Sequence, residues 1–390
     1  MSIGGDIMDE KLDELTQNKT NVLSMKLLHY FITKKNYNPI IIQGVENEIW
    51  LENMDEDYEI VRIVSENILN EEQLGFDIFK TKRIVNKIKR KTLTLKMKTL
   101  SIFLNLHENI EESPHDNTMI KIDSEKDLSK SDVILKEFPD LPKEVKMKEK
   151  GIELFANLTN DINEHSREDS RQFGEIFGKK TPFVTYTLIA ICVLAFIIPY
   201  LTGKFNEFIS LFAVYKPAIV KGEYYRLLTA PFLHANIAHI VFNCYALYVI
   251  GRELESYIGH FKFLIVYLFS AITGSLMSII FLGNGVSVGA SGAIFGLMGS
   301  LIYFGFHYRV YLEQVLKREI IPLVILNLLL GFIIKGVDNY AHIGGLIGGF
   351  LITVGLGIKY KETTFEKVNG YIMSIIYLIF LIYMGFTPAL

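Results

Sequence analysis

Four polar residues stand out inside otherwise apolar sequence: Ser291 in the run GASG, His342 in DNYAHIGGLIGG, and His239 with Asn243 in HANIAHIVFN. A polar group surrounded by lipid must find an internal partner, so such residues are candidates for function. A serine hydroxyl is a poor nucleophile until a base takes its proton, and a neutral imidazole can do so. His239 and Asn243, spaced i, i+4, share one helix face and can point donors at one place, which suits an oxyanion. The set therefore holds the parts of nucleophilic acyl transfer: Ser291 as nucleophile, His342 as general base, His239 and Asn243 as donors.

Those residues need helices to position them. Seven apolar segments are expected, at about 181–200, 231–250, 261–282, 288–306, 319–335, 340–358 and 369–386, each long enough to cross a bilayer or to sit inside a bundle. Ser291 opens the fourth, after a glycine-rich turn, where the free N–H groups of a helix N-terminus converge. His342 lies near the start of the sixth, so the two fall at similar depth. Their helices must approach closely, and Gly292, Gly296 and Gly299 on one with Gly345 and Gly349 on the other permit it. Basic residues flank the expected inner ends, among them Lys179, Lys180, Arg252, Lys262, Arg309, Lys317, Arg318, Lys359 and Lys361, and the short outer connection after the fifth segment has only Lys335. This bias predicts an N-terminus inside and a C-terminus outside. The 201–229 connection, with aromatics and Arg226, is too polar for another span; it reads as a segment half sunk in the outer leaflet with a snorkelling Arg226.

The charge distribution separates two domains, 1–178 and 179–390. Of the 43 acidic and 40 basic residues, 34 and 27 precede residue 181, a balance of −7 against +4 beyond it. The two cysteines, Cys192 and Cys244, both fall in expected spans and leave no disulfide framework or zinc-type spacing. The N-terminal residues are acidic and lack the apolar core of a signal peptide. No HExxH run is present, and Asp338 is the only aspartate after Lys180, which argues against intramembrane metallo- and aspartyl proteases. A polytopic transporter or channel using buried His and Ser is the alternative outside enzyme chemistry, although no inverted repeat or broken span is evident.

The motifs GEYYRLLTAPFLH, HIVFN, GASGAIFG and AHIGGLIGG, in this order, closely resemble the rhomboid family of intramembrane serine proteases, over about residues 181–390. The resemblance implies a helical transmembrane bundle of six core spans plus one C-terminal span, and a Ser291–His342 dyad without a third, acidic member. It also implies an oxyanion hole of His239, Asn243 and the Ser291 N–H, with Gly289 in the nucleophile turn. Tyr225–Arg226 matches a loop motif usually written Trp-Arg, and Glu255 matches a structural acid at the inner end of span two. Phe295 stands where a tyrosine often stacks on the histidine. Asp338, one turn before His342, is expected to be structural. The activity implied by the resemblance is that of a serine endopeptidase cutting transmembrane protein substrates near the outer face of a bacterial plasma membrane, after a small residue, with no cofactor or metal required for catalysis.

The first 178 residues read as a soluble α/β domain. A helix over about 9–35 leads to strands PIIIQ, EIWLEN and YEIVRIV, a basic helix near 73–93 and a strand TLSIFLNLH. This α-β-β-β-α-β order looks like a degenerate restriction-endonuclease core, without a nuclease carboxylate set. The stretch 115–132 reads as a flexible loop and 163–180 as a polar helix leading into span one. The basic run at 80–98 reads as a solvated helix face, with lipid headgroups or nucleic acid as alternatives and no nucleic acid expected as partner. A cytosolic ligand, a substrate's cytosolic domain or a divalent cation on the carboxylates is the expected partner of this domain.

Overall fold

In the computed structural model the described residues are 18–92, 94, 96–106, 117–334 and 336–387. The acidic N-terminus, the first part of the expected 9–35 helix, His107 and Lys335 lie outside them. The chain forms two compact units, Met1–Arg171 and Gln172–Leu390.

The first unit is built on five strands, β1 (Asn38–Ile40), β2 (Glu48–Glu52), β3 (Ile60–Val64), β4 (Thr99–Phe103) and β5 (Asn117–Lys121), in that spatial order. The first three pair antiparallel; β4 and β5 join parallel. Every residue of β3 and of β4 is buried, as expected of central strands covered on both faces. A parallel β3–β4 pair needs a crossover, and the Glu71–Thr92 helix supplies it. On one face Leu27, Tyr30 and Phe31 of the Lys19–Thr33 helix pack on Val61, Ile63, Leu100 and Ile102; on the other Val85 and Ile88 pack on Trp50 and Ile60. The fifth strand corrects the expected 115–132 loop. Its backbone pairs with the edge of β4 and buries Met119 and Ile120, an apolar pair too short to carry a readable period. The connecting helix also starts earlier than expected, at Gly151, and runs to Phe177, because Leu154 and Leu158 are buried and Ile162 packs on the same core.

The second unit is helical. Among the described residues four helices are long and apolar enough to cross a membrane: Phe183–Leu201, His260–Phe281, Asn339–Leu356 and Thr364–Phe386. A fifth crossing is formed if Arg226–Phe232 and Ile237–Ile258, bent by 94°, are taken together. The two remaining expected segments correspond to shorter apolar helices, Ser291–His307 and Ile321–Ile333. The second expected segment begins later than 231 because the Asn236 side chain caps a fresh helix, accepting from the His239 N–H at 2.8 Å. Glu255, buried at the end of that helix, accepts from the N–H groups of Val184 and Thr185 at 2.8 and 2.7 Å. It satisfies two of the orphan donors that open the Phe183–Leu201 helix.

The last turn of the connecting helix belongs to this unit. Ile176 is buried, Phe177 packs edge-on against Tyr257 and Tyr308, and Glu175 accepts from Lys359 Nζ and Tyr360 Oη at 2.5 Å each. Exposed Lys359 is thereby raised above the usual lysine range, through its hydrogen bond to Glu175 first. These contacts hold the C-terminal ends of the Ser291–His307 and Asn339–Leu356 helices. Removal of residues 1–171 is therefore expected to leave the thermal unfolding of the bundle nearly unchanged. Phe177→Ala should destabilise it by roughly 2–4 kcal/mol, and melting curves of the two variants in detergent check this.

Candidate active site

Two helices meet backbone to backbone at the centre of the bundle. A methyl carbon added at Gly345 would fall on the Gly292 carbonyl, one at Gly349 on the Gly296 carbonyl, and one at Gly299 on the Leu346 carbonyl. Only glycine allows this approach, which brings the first turns of the Ser291–His307 and Asn339–Leu356 helices side by side. The third wall is the His260–Phe281 helix, where Gly274 faces the Ala341 carbonyl and Thr273 faces Gly348.

At that junction Ser291 Oγ and His342 Nε2 are 2.8 Å apart. Hydrogen-bond partners assign the tautomer. Asn339 Nδ2 donates to the Leu328 carbonyl at 2.9 Å, which turns its Oδ1 toward His342 Nδ1 at 3.3 Å. An amide oxygen only accepts, so Nδ1 carries the ring proton and Nε2 presents its lone pair to the serine hydroxyl. Phe295 lies flat on the imidazole, centroids 4.3 Å apart and planes 10° from parallel. The ring is thus held at its edge by Asn339 and at its face by Phe295, and the side chain is buried.

Asp338 is engaged elsewhere. Its Oδ1 caps the histidine helix by accepting from the Ala341 N–H at 3.1 Å, and its Oδ2 accepts from Ser278 Oγ at 2.5 Å. The orienting partner of His342 is therefore the neighbouring amide, which the sequence did not single out. The signal was slight: one Asn beside a more conspicuous Asp.

On the other side of the serine, Gly289 has φ +122°, and a methyl carbon there would come within 2.7 Å of His239 Nε2. A side chain at 289 would be both strained and obstructed. Ala235 N–H donates to His239 Nδ1 at 3.4 Å, so the neutral ring carries its proton on Nε2, the atom beside the turn that precedes Ser291. Asn243 sits one turn further along and is buried. Its Nδ2 donates back to the His239 carbonyl at 2.9 Å, so one of its two amide hydrogens is used within its own helix. His234, buried and edge-on to His239 at 5.1 Å between centroids, completes this wall; the sequence offered it only as the end of the motif PFLH.

The 201–229 connection fastens this turn. Val214 and Tyr215 pair antiparallel with Ser287 and Val286, and the Gly289 N–H donates to the Ala230 carbonyl at 3.1 Å. Arg226 corrects the expectation of a snorkelling side chain. It is 4 % exposed and donates to the carbonyls of Ser210 and Ala213 at 2.7 and 3.0 Å. Its other donors reach Glu223, which the Tyr225 hydroxyl also approaches at 2.9 Å. These hydrogen bonds hold the exposed Glu223 carboxyl below the usual carboxylate range. The loop needs a cation at that point because its short helices leave carbonyls unpaired, and a buried guanidinium satisfies several at once. Beside Gly289 a cleft opens, lined by small residues including Ala230, Pro231, Gly274, Ser275 and Gly292. Among the described residues no group of three or more His, Cys, Asp or Glu is placed to hold a metal ion.

A hydroxyl paired with an oriented imidazole, next to a second histidine and inside a bundle of apolar helices, has the parts that nucleophilic acyl transfer needs. The comparisons with known proteins agree on the family. The profile described as "Rhomboid domain" matches residues 221–359. The chain is 29% identical to Rhomboid protease GluP of Bacillus subtilis (strain 168) over 84% of its own length and 68% of that protein's. It is 35% identical to YdcA of the same organism, also named for the rhomboid family, over 38% of this chain and 74% of that one. With RHOMBOID-like protein 4 of Arabidopsis thaliana it shares 40% identity over 39% of each chain. The chain belongs to the rhomboid family. It is a multi-pass membrane protein and a rhomboid-type protease.

The helix contact gives a stability test. Gly345→Val should force the two backbones apart and lower bundle stability by about 3 kcal/mol, the upper part of the usual overpacking cost; thermal unfolding in detergent measures it.

Proposed function

We propose that the protein is an intramembrane serine endopeptidase working by a Ser291–His342 dyad on transmembrane protein substrates. The observation that carries this reading is the 2.8 Å Ser291 Oγ–His342 Nε2 contact with Asn339 on the far ring nitrogen. In the first step Nε2 takes the hydroxyl proton as Oγ attacks the scissile carbonyl; His239 Nε2–H, Asn243 and the Ser291 N–H stabilise the oxyanion. The imidazolium then protonates the leaving amine, and water, activated by the same imidazole, hydrolyses the acyl-enzyme. None of these steps calls for a metal or cofactor. Asn339 acts as positioning residue in place of a triad acid, and Gly289, Gly292, Gly345 and Gly349 provide the room. The small-residue cleft beside Gly289 suits a small side chain preceding the cut.

The positive-inside pattern supports an N-terminus inside and a C-terminus outside, which puts the first turns of both site helices, and so cleavage, near the outer face of the plasma membrane of a bacterial cell. The C-terminal seventh span packs on the back of the histidine helix, where a carbon added at Gly370 would strike Gly355. For the first unit we propose a cytosolic role in binding a substrate's cytosolic segment or a divalent cation. Its strand order is compatible with a restriction-endonuclease-like ancestry.

Ser291→Ala should abolish cleavage of a model transmembrane substrate in proteoliposomes while the protein stays folded; full cleavage by the folded variant would end the reading. His239→Ala and Asn243→Ala should each slow turnover by up to about a hundredfold, and unchanged turnover in the double variant would make them struts only. Asn339→Ala removes one neutral hydrogen bond, worth about 1 kcal/mol, so kcat is expected to fall roughly fivefold with KM unchanged.

A further inference from the structure

The Glu71–Thr92 helix carries an outer face that the fold of its unit does not explain. Its buried side is Leu74, Asp77, Thr81, Val85, Ile88 and Thr92. Diametrically opposite, at spacings of three and four that stack on one stripe, stand Phe76, Phe79, Arg83 and Lys87. Phe76 and Phe79 are 69 % and 64 % exposed. Large aromatic side chains are not left in water on a helix that can turn them inward, and here the helix cannot turn. Asp77 accepts from Arg62 Nη1 at 2.7 Å and from Nη2, and Thr81 accepts from Nη1 at 2.7 Å. Arg62 is fully buried, its guanidinium over the rings of Trp50 and Phe103 and bonded to Glu48, which also accepts from Lys80. Rotating the helix would strand these charges unpaired in the core, which is strongly unfavourable. The exposed stripe is thus imposed by the buried clamp.

We propose that this face docks on an anionic phospholipid surface, with Phe76 and Phe79 entering the headgroup region and Lys82, Arg83 and Lys87 on lipid phosphates. Three observations select this occupant. The stripe joins aromatic residues to cations along one helix line, the pattern of helices that lie in a membrane interface. Exposed Glu71 and Glu72 open the helix, Glu72 one turn before Phe76 on the same stripe, but from Lys80 to Lys91 the helix carries seven Lys or Arg and no acid, so the stretch beyond Phe79 is electrostatically complementary to an anionic leaflet. The same chain enters the bilayer at the Phe183–Leu201 helix, so a membrane surface is tethered at high effective concentration. This contact is independent of the serine chemistry.

The test uses full-length protein with Cys192 and Cys244 replaced by alanine and an environment-sensitive fluorophore on Asn86→Cys, in nanodiscs of phosphatidylcholine alone or mixed with phosphatidylglycerol. Emission is expected to shift to the blue and rise severalfold only in the anionic discs. The shift should be lost in Arg83→Glu/Lys87→Glu and weakened in Phe76→Ser/Phe79→Ser, whose exposed positions leave the fold intact, as circular dichroism checks. Equal emission in both lipids, a shift that survives both variants, or a response only to added oligonucleotide would overturn the proposal.

Discussion

The site depends on the contact of two helix backbones without side chains between them. Where the carbonyls of Gly292 and Gly296 lie against Gly345 and Gly349, van der Waals packing at the closest possible range replaces the hydrophobic drive that lipid does not supply. That contact sets the distance between the helix ends, and the helix ends carry Ser291 and His342. The other features act on this junction: Asp338 ties the histidine helix to Ser278, Phe295 holds the imidazole flat, and the Val214–Ser287 pairing holds the turn before the serine.

A second constraint is polar satisfaction. In an apolar setting each buried donor or acceptor seeks a partner, and the pairing found here orients the Ser291–His342 contact. The amide of Asn339 is pinned by the Leu328 carbonyl, which fixes its flip and, through it, the tautomer of His342. Arg226 and Glu255 play comparable parts away from Ser291 and His342, one collecting loose loop carbonyls and the other the free N–H groups of a helix start.

Much of this was legible in the sequence because the signals were chemical and local. A serine after a glycine turn and a histidine at the start of another apolar segment put both groups at one depth, and glycines at helical spacing announced the close approach. What stayed hidden needed three dimensions. Asn339 differs from any other helix-start asparagine only through the carbonyl that orients it. Arg226 looked like a snorkelling residue because its carbonyl partners lie 13 and 16 positions away. The strand Asn117–Lys121 is too short for a period and exists because β4 offers an edge, and residues 172–177 count with the bundle through aromatic contacts that a polar-looking helix does not advertise.

The central claim is that Ser291 is the attacking atom and that His239 and Asn243 face the oxyanion. The most direct measurement is an experimental structure of the protein inactivated with a fluorophosphonate in a lipid environment. Phosphorus is expected bonded to Ser291 Oγ, with His342 beside it and the phosphoryl oxygen within hydrogen-bond distance of His239 Nε2 or Asn243 Nδ2. An adduct on another residue, or a phosphoryl oxygen turned away from both donors, would contradict it.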